Sequence, residues 1–145
     1  INTLRPVQLG DQSLQAALQE YLKIWEKQCG VSVVFRVEGG EKTIDQEAEQ
    51  SLFRVVQEAL SNITRHSRAS AASIFLTFEK DHVTLQISDN GIGFDKATIK
   101  QGLGLHSMEE RVKELNGTIK INSSTRGTTI TITIPQKNKE EKNGR

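Results

Sequence analysis

Apolar residues recur along this chain in two alternating rhythms. From Ser13 to Gly30 they fall on one helical stripe, Leu14, Ala17, Leu18, Tyr21, Leu22 and Trp25, with Ser13 placed to cap the start and Gly30 to end the last turn. Val31, Val33, Phe35 and Val37 then alternate with polar neighbours, the period of a strand, closed by Gly39-Gly40. The helical period returns behind Asp45, a second capping residue, where Leu52, Val55, Val56, Ala59, Leu60 and Ile63 face a core in a helix predicted to reach about His66. Ala72, Ile74, Leu76 and Phe78 make a second strand, and Val83, Leu85 and Ile87 a third, joined through Glu79-Lys80-Asp81-His82. Met108, Val112 and Leu115 give one more helix its buried stripe, and Asn116-Gly117 stops it. Ile119 and Ile121 pair, through a turn at residues 123–127, with Ile130, Ile132 and Ile134, while Thr129, Thr131 and Thr133 take the other face of that strand. A sheet with one aliphatic and one threonine-rich face is covered by helices on one side only. The order helix, strand, helix, two strands, helix, two strands predicts an α+β fold, a two-layer α/β sandwich with a mixed sheet.

Composition narrows the partners. The 145 residues carry 19 Lys and Arg against 18 Asp and Glu, so nothing favours a nucleic acid or an anionic membrane. The single cysteine, Cys29, leaves no internal disulfide, suits a reducing compartment and reads as filler or a surface thiol. No apolar run approaches the ~20 residues of a spanning helix, so this stretch is expected to work in the cytoplasm, whether or not a longer parent is membrane-anchored. Residues 13–135 read as the folded domain. Residues 1–12, where Pro6 breaks or bends any helix, read as a stem or linker, and the Lys/Glu/Asn-rich residues 136–145 as a disordered tail.

Three short stretches carry chemistry. Asp89-Asn90-Gly91-Ile92-Gly93-Phe94 follows the third strand. A carboxylate at a strand end can accept from an exocyclic amine, and the glycines let backbone approach a ligand closely. The same letters also spell an ordinary Asp-Asn-Gly turn. On the helix upstream, Glu58, Asn62 and His66 recur every four residues with Arg65 between them. At about 100° per residue, Glu58, Asn62 and Arg65 stay within roughly 60° of one another. The plain alternative is a solvated face with a Glu–Arg pair worth about 0.2–0.5 kcal/mol. Downstream, Gly102-Leu103-Gly104-Leu105-His106 opens the third helix, and residues 95–101, with Lys96 and Lys100, have the length of a flap over a phosphate tail.

In this order and spacing the three stretches resemble the N, G1 and G2 boxes of the GHKL (Bergerat) ATP-binding fold, and within it the catalytic and ATP-binding domain of bacterial sensor histidine kinases. Residues 104–111, Gly-Leu-His-Ser-Met-Glu-Glu-Arg, resemble the short-lid subgroup that pairs with response regulators of the NarL type, although Ser107 stands where that subgroup often has glycine. Leu4-Arg5-Pro6 resembles the end of the dimerisation and phosphoacceptor region. The resemblance implies a domain that binds Mg²⁺ and ATP and donates the γ-phosphate to a histidine on a separate dimerisation domain of the same protein. The parent would be a homodimer and this piece of it a monomer. Residue by residue it implies that Asp89 reads adenine N6, that Gly91 and Gly93 floor the base, and that Thr128 joins it through water. Asn62 would hold Mg²⁺, with Glu58 binding metal-held water or acting as a base. Arg65 and His66 would lie at the phosphates, and Gly102, Leu103, Gly104, Leu105 and His106 would close the flap and present the next helix's amides. Other readings of the same fold are an anti-sigma-factor-type serine kinase and an ATP-gated interaction module.

Overall fold

The computed structural model describes residues 9–10, 12–39, 44–93 and 104–136. Helix α1 spans Leu14–Cys29, and the Ser13 hydroxyl accepts the Ala16 amide at 3.1 Å as its cap. Its predicted stripe from Leu14 to Trp25 is buried throughout. Strand β1 is Ser32–Gly39, and helix α2 is Gln46–Asn62. Asp45 caps α2 by accepting the Ala48 amide at 2.9 Å, and Glu47 and Glu49 place negative charge in the first turn, where the helix dipole favours it.

The helix predicted to reach His66 does continue that far, but not as an α-helix. Ile63–Ser67 is a π-helical turn, closed by Arg68 in the left-handed region at φ 55°. The Ser67 hydroxyl donates to the Ile63 carbonyl at 3.0 Å. That carbonyl, four residues back, is the acceptor an α-helical amide would have used, so the side chain favours the wider turn.

Strands β2 (Ala71–Phe78) and β3 (His82–Asp89) follow, then helix α3 (Leu105–Glu114) and strands β4 (Thr118–Ser124) and β5 (Gly127–Pro135). The β4–β5 connection is two residues, Thr125 and Arg126, tighter than the sequence suggested. The five strands lie in the order β1-β2-β3-β5-β4, with β1 parallel to β2 and every other pair antiparallel. The element order and the mixed sheet are as predicted.

Helix α2 packs against both α1 and α3, α1 against β1, and α3 against β4, so all three helices cover one face. Ile74, Leu76, Leu85, Ile87 and Ile132 from the sheet meet Leu18, Phe53, Val56 and Leu60 from the helices, all essentially inaccessible. Truncating one such aliphatic side chain to alanine costs about 2–5 kcal/mol. The opposite face carries Thr129, Thr131 and Thr133, with the Ser88 and Thr129 hydroxyls 3.2 Å apart across β3 and β5. Where β5 leaves the sheet, the Gln136 amide donates to the Asp81 carbonyl at 2.9 Å and its side chain to the Glu79 carbonyl, fastening the exit to the β2–β3 turn. Among the described residues no helix is long and apolar enough to cross a membrane. Of the stem predicted over 1–12, Leu9 is buried in the core, and Gln136, placed in the predicted disordered tail 136–145, is buried and hydrogen-bonded instead; residues 1–8 and 11, the flap 95–101 and residues 137–145 lie outside the described residues.

Candidate functional site

Strand β3 buries Val83, Leu85 and Ile87, and the two-residue period carries Asp89 onto the same, helix-covered side. Asp89 is thereby delivered to the end of the sheet beneath α2, half-buried and directly opposite Thr128 of β5. Its carboxylate accepts the Gly91 amide at 2.8 Å and is also hydrogen-bonded by the Thr128 backbone. Burial raises its pKa above the ordinary carboxylate value, outweighing these two amide bonds, which pull it down. Thr128 is buried, and its hydroxyl lies 2.9 Å from that of Ser123.

The loop behind Asp89 is stitched to its surroundings. The Asn90 side-chain oxygen accepts the amides of Ser70 (2.9 Å) and Ala71 (3.0 Å), and its NH₂ donates to the Ser70 hydroxyl at 3.0 Å. The Ile92 amide donates to the Ser67 carbonyl at 2.8 Å. A Cβ added at Gly91 would run into that same carbonyl and into the Ser67 side chain, so glycine is required by the approach itself. Asn62, on the last α-helical position before the π turn, is 2% exposed. Glu58 lies one turn earlier and half-buried, and His66 is half-buried within the π turn. Gly104 opens α3 at φ 66°, and a Cβ there would strike the Glu58 carboxylate.

The motifs therefore meet in pairs: the Asp89 loop with Ser67 at the end of α2, and the start of α3 with Glu58. Gly93 is half-buried against Ser124, and Leu105 packs on the core. His106 is exposed, with its Nε2 3.4 Å from the Glu110 carboxylate. Gly102 and Leu103 lie outside the described residues. Arg65 is exposed within the π turn. Its side chain joins Glu58 along a groove of about 430 Å³ between α1, α2 and α3, the side the helical spacing assigned to both. Asp89 instead borders a depression of about 340 Å³ with Asn122, Ser123, Ser124 and Arg126. Within the described residues these two hollows are separate.

Sequence reasoning missed Ser67, whose carbonyl anchors the loop, and Asn90, whose side chain anchors it to β2. The Asp-Asn-Gly letters did signal a side-chain-to-backbone turn. As for a metal, Asn62 and Glu58 offer oxygen ligands one turn apart. That is the donor set of Mg²⁺ brought in with phosphates, which keeps waters and takes few protein ligands. The residues present fit it.

A sheet covered on one face by three helices, with an acid–glycine loop pinned to the end of the central helix, defines an ATPase domain of the kind shared by kinases, gyrases and chaperones. Residues 47–138 match the family described as Histidine kinase-, DNA gyrase B-, and HSP90-like ATPase, and the chain belongs to it. It is 36% identical over 135 residues to the oxygen sensor histidine kinase NreB of Staphylococcus carnosus, covering 91% of this chain and 39% of that protein. It is 39% identical over 137 residues to the histidine-protein kinase/phosphatase DegS of Brevibacillus brevis, covering 93% of this chain and 36% of that protein. The chain thus spans little more than a third of the length of these relatives. Among solved structures, the histidine kinase domain of the blue-light activated kinase EL346 from Erythrobacter litoralis superposes with a TM-score of 0.69 at 18% identity, covering 86% of this chain and 66% of that one. The histidine kinase AdeS of Acinetobacter baumannii gives 0.68 at 21% identity, with coverages of 87% and 66%. These two likenesses establish the fold.

Proposed function

We propose that this chain is the catalytic domain of a sensor histidine kinase. It binds Mg²⁺ and ATP at the end of the sheet, and the γ-phosphate passes to a histidine on the dimerisation domain of the same protein and then to a response regulator of the NarL type. The observation that carries this reading is the Asp89 carboxylate, half-buried on the helix side of the sheet end and oriented by the Gly91 and Thr128 amides, with Asn62 on the helix to which that loop is tied. Asp89 accepts the adenine amino group, and Gly91, Gly93 and Thr128 shape the space around the base. Asn62 supplies the oxygen that holds Mg²⁺, and Glu58 orients water or takes a proton. Bound Mg²⁺ neutralises phosphate charge during transfer. Arg65 and His66 stand on the phosphate side. Gly104 leaves the first amides of α3 without a side-chain cap, so they are donors for phosphate oxygens. Gly102, Leu103, Leu105 and His106 complete this phosphate-side stretch, Leu105 and His106 as the first residues of α3.

Such a domain works in the cytoplasm, in a homodimeric parent, and by itself as a monomer. Residues 1–12 would be the end of the phosphoacceptor region and 136–145 a tail. Calorimetric titration with ADP and with ATP plus Mg²⁺ tests the reading. Nucleotide binding that Asp89→Asn weakens strongly is expected; no nucleotide binding by the folded chain would overturn it.

A further inference from the structure

On the helix-covered face, strands β3, β5 and β4 change character at the same row. Ile87, Ile130 and Ile121 stand opposite one another, and one pleat further toward the site Asp89, Thr128 and Ser123 do. Cross-strand partners share a face, so the aliphatic rows end in a carboxylate and two hydroxyls side by side. Thr128 is 3% exposed, in a place that the alternation of β5 otherwise gives to isoleucine. A buried hydroxyl costs free energy unless it is hydrogen-bonded, and Thr128 has the Ser123 hydroxyl at 2.9 Å. Valine would fill that place with no polar atom to satisfy, so packing does not explain the pair. Ser123 also lies against the acid–glycine loop, where a Cβ added at Gly93 would stand 2.8 Å from its hydroxyl oxygen.

Each hydroxyl has a single proton, and the contact allows either one to be the donor. We propose that Ser123 is a positioning residue for the base: it donates to Thr128 and so turns the Thr128 proton toward the water that joins it to adenine. This rests on the reading of Asp89 and Thr128 as adenine contacts. A count of protons sets the direction. A carboxylate has about four acceptor sites. At Asp89 the Gly91 and Thr128 amides use two of them, and the adenine amine takes a third. A water between Thr128 and the base lies beside the fourth, because Asp89 and Thr128 are cross-strand partners. On the base side, the ring nitrogens N1 and N7 that flank the amine are acceptors too. Serving the carboxylate and one ring nitrogen consumes both protons of the water, so Thr128 must donate to it. Thr128 then accepts in its turn, and Ser123 is the hydroxyl within reach to give. With the bond reversed, the water would face three acceptors with two protons.

The test measures the affinity of the chain for ADP, 1-deaza-ADP and 7-deaza-ADP by calorimetry, with thermal unfolding to confirm the fold. Each analogue lacks one of the two ring nitrogens. Ser123→Ala is expected to weaken ADP about three- to tenfold, the worth of one neutral hydrogen bond. On the analogue missing the nitrogen addressed, the same substitution should cost less than about twofold, since the bond it supports is already gone. Ser123→Thr should recover most of the loss, whereas Ser123→Cys, close in size but a weak donor, should not. In a Thr128→Val background Ser123→Ala should cost little more, because the relay is already cut. Unchanged ADP affinity in Ser123→Ala, equal weakening of ADP and both analogues, or additive losses with Thr128→Val would each overturn the relay. The last two outcomes would make the hydroxyl pair a fastening of the β4–β5 hairpin. All three leave the nucleotide reading standing, which falls instead if the folded wild-type chain binds no ADP.

Discussion

The Ile92 amide and the Ser67 carbonyl, 2.8 Å apart, tie the loop that follows Asp89 to the turn that ends the helix bearing Asn62. The two halves of the proposed nucleotide site are therefore not independent supports. A change at one is transmitted as backbone displacement to the other.

Gly91 tests this joint directly. Gly91→Ala drives a methyl group into the Ser67 carbonyl and must push the loop from α2. The expected stability loss is about 1–3 kcal/mol, the usual cost of an overpacked position. ADP affinity should fall with it by tenfold or more, although the new methyl touches no nucleotide. Thermal unfolding and calorimetric titration of the one variant check both, and a stability loss with unchanged affinity would mean that the joint does not position Asp89.

Asp89→Asn separates binding from folding. Losing the charged acceptor for the amine should weaken adenine nucleotides by ~1–3 kcal/mol. The folded protein, in contrast, is relieved of a buried charge. The Asp89 pKa is raised from 3.8, so its contribution to stability is fully present below that value and is lost as pH rises through the folded-state pKa. The asparagine variant should lack this fall between acid and neutral pH. At neutral pH it should melt at or above the wild-type temperature, as a pH series of melting curves would establish.

Asn62→Ala should remove most of the gain in ATP affinity that Mg²⁺ confers and leave metal-free ADP binding little changed. Titrations with and without Mg²⁺ decide it. Equal losses in both would assign Asn62, buried as it is, to the fold rather than to the metal.

Tyr21 sets the alkaline limit. Its ring meets Phe53 edge to face at 5.6 Å, and burial, with the neighbouring Cys29, pushes its pKa up to about 12. A raised pKa means stability present below 10.0 and lost as pH climbs toward 12. Tyr21→Phe keeps the ring pair and should flatten that decline, measured by denaturant unfolding across the alkaline range.

Helix and strand placement was legible because the apolar period is unambiguous and the first two helices begin at residues whose side chains cap them. Ser13 and Asp45 make the predicted bonds, and the stripes from Leu14 to Trp25 and Leu52 to Ile63 are buried as read. The site motifs were legible as letters at fixed spacing. The π turn was not, because one hydroxyl, that of Ser67, decides between two helical hydrogen-bond patterns with nearly the same residue preferences. The groove between the three helices was hidden for a different reason. Arg54, Arg65 and Arg111 are unremarkable singly, and only the packing of α2 between α1 and α3 assembles them.

The fastening of Gln136 to the β2–β3 turn gives strand β3 two ends with different uses. Pro135 pairs with His82, at the opposite end of the strand from Asp89. Seven residue steps of ~3.4 Å put the chain's exit from the sheet about 24 Å from the acid. A fluorophore or surface tether attached just beyond Gln136 therefore starts a full strand length from the proposed nucleotide site. Paired with a labelled ATP analogue, it supplies a fixed-end ruler for energy-transfer measurements, and immobilisation through it leaves the binding end of the sheet facing solution.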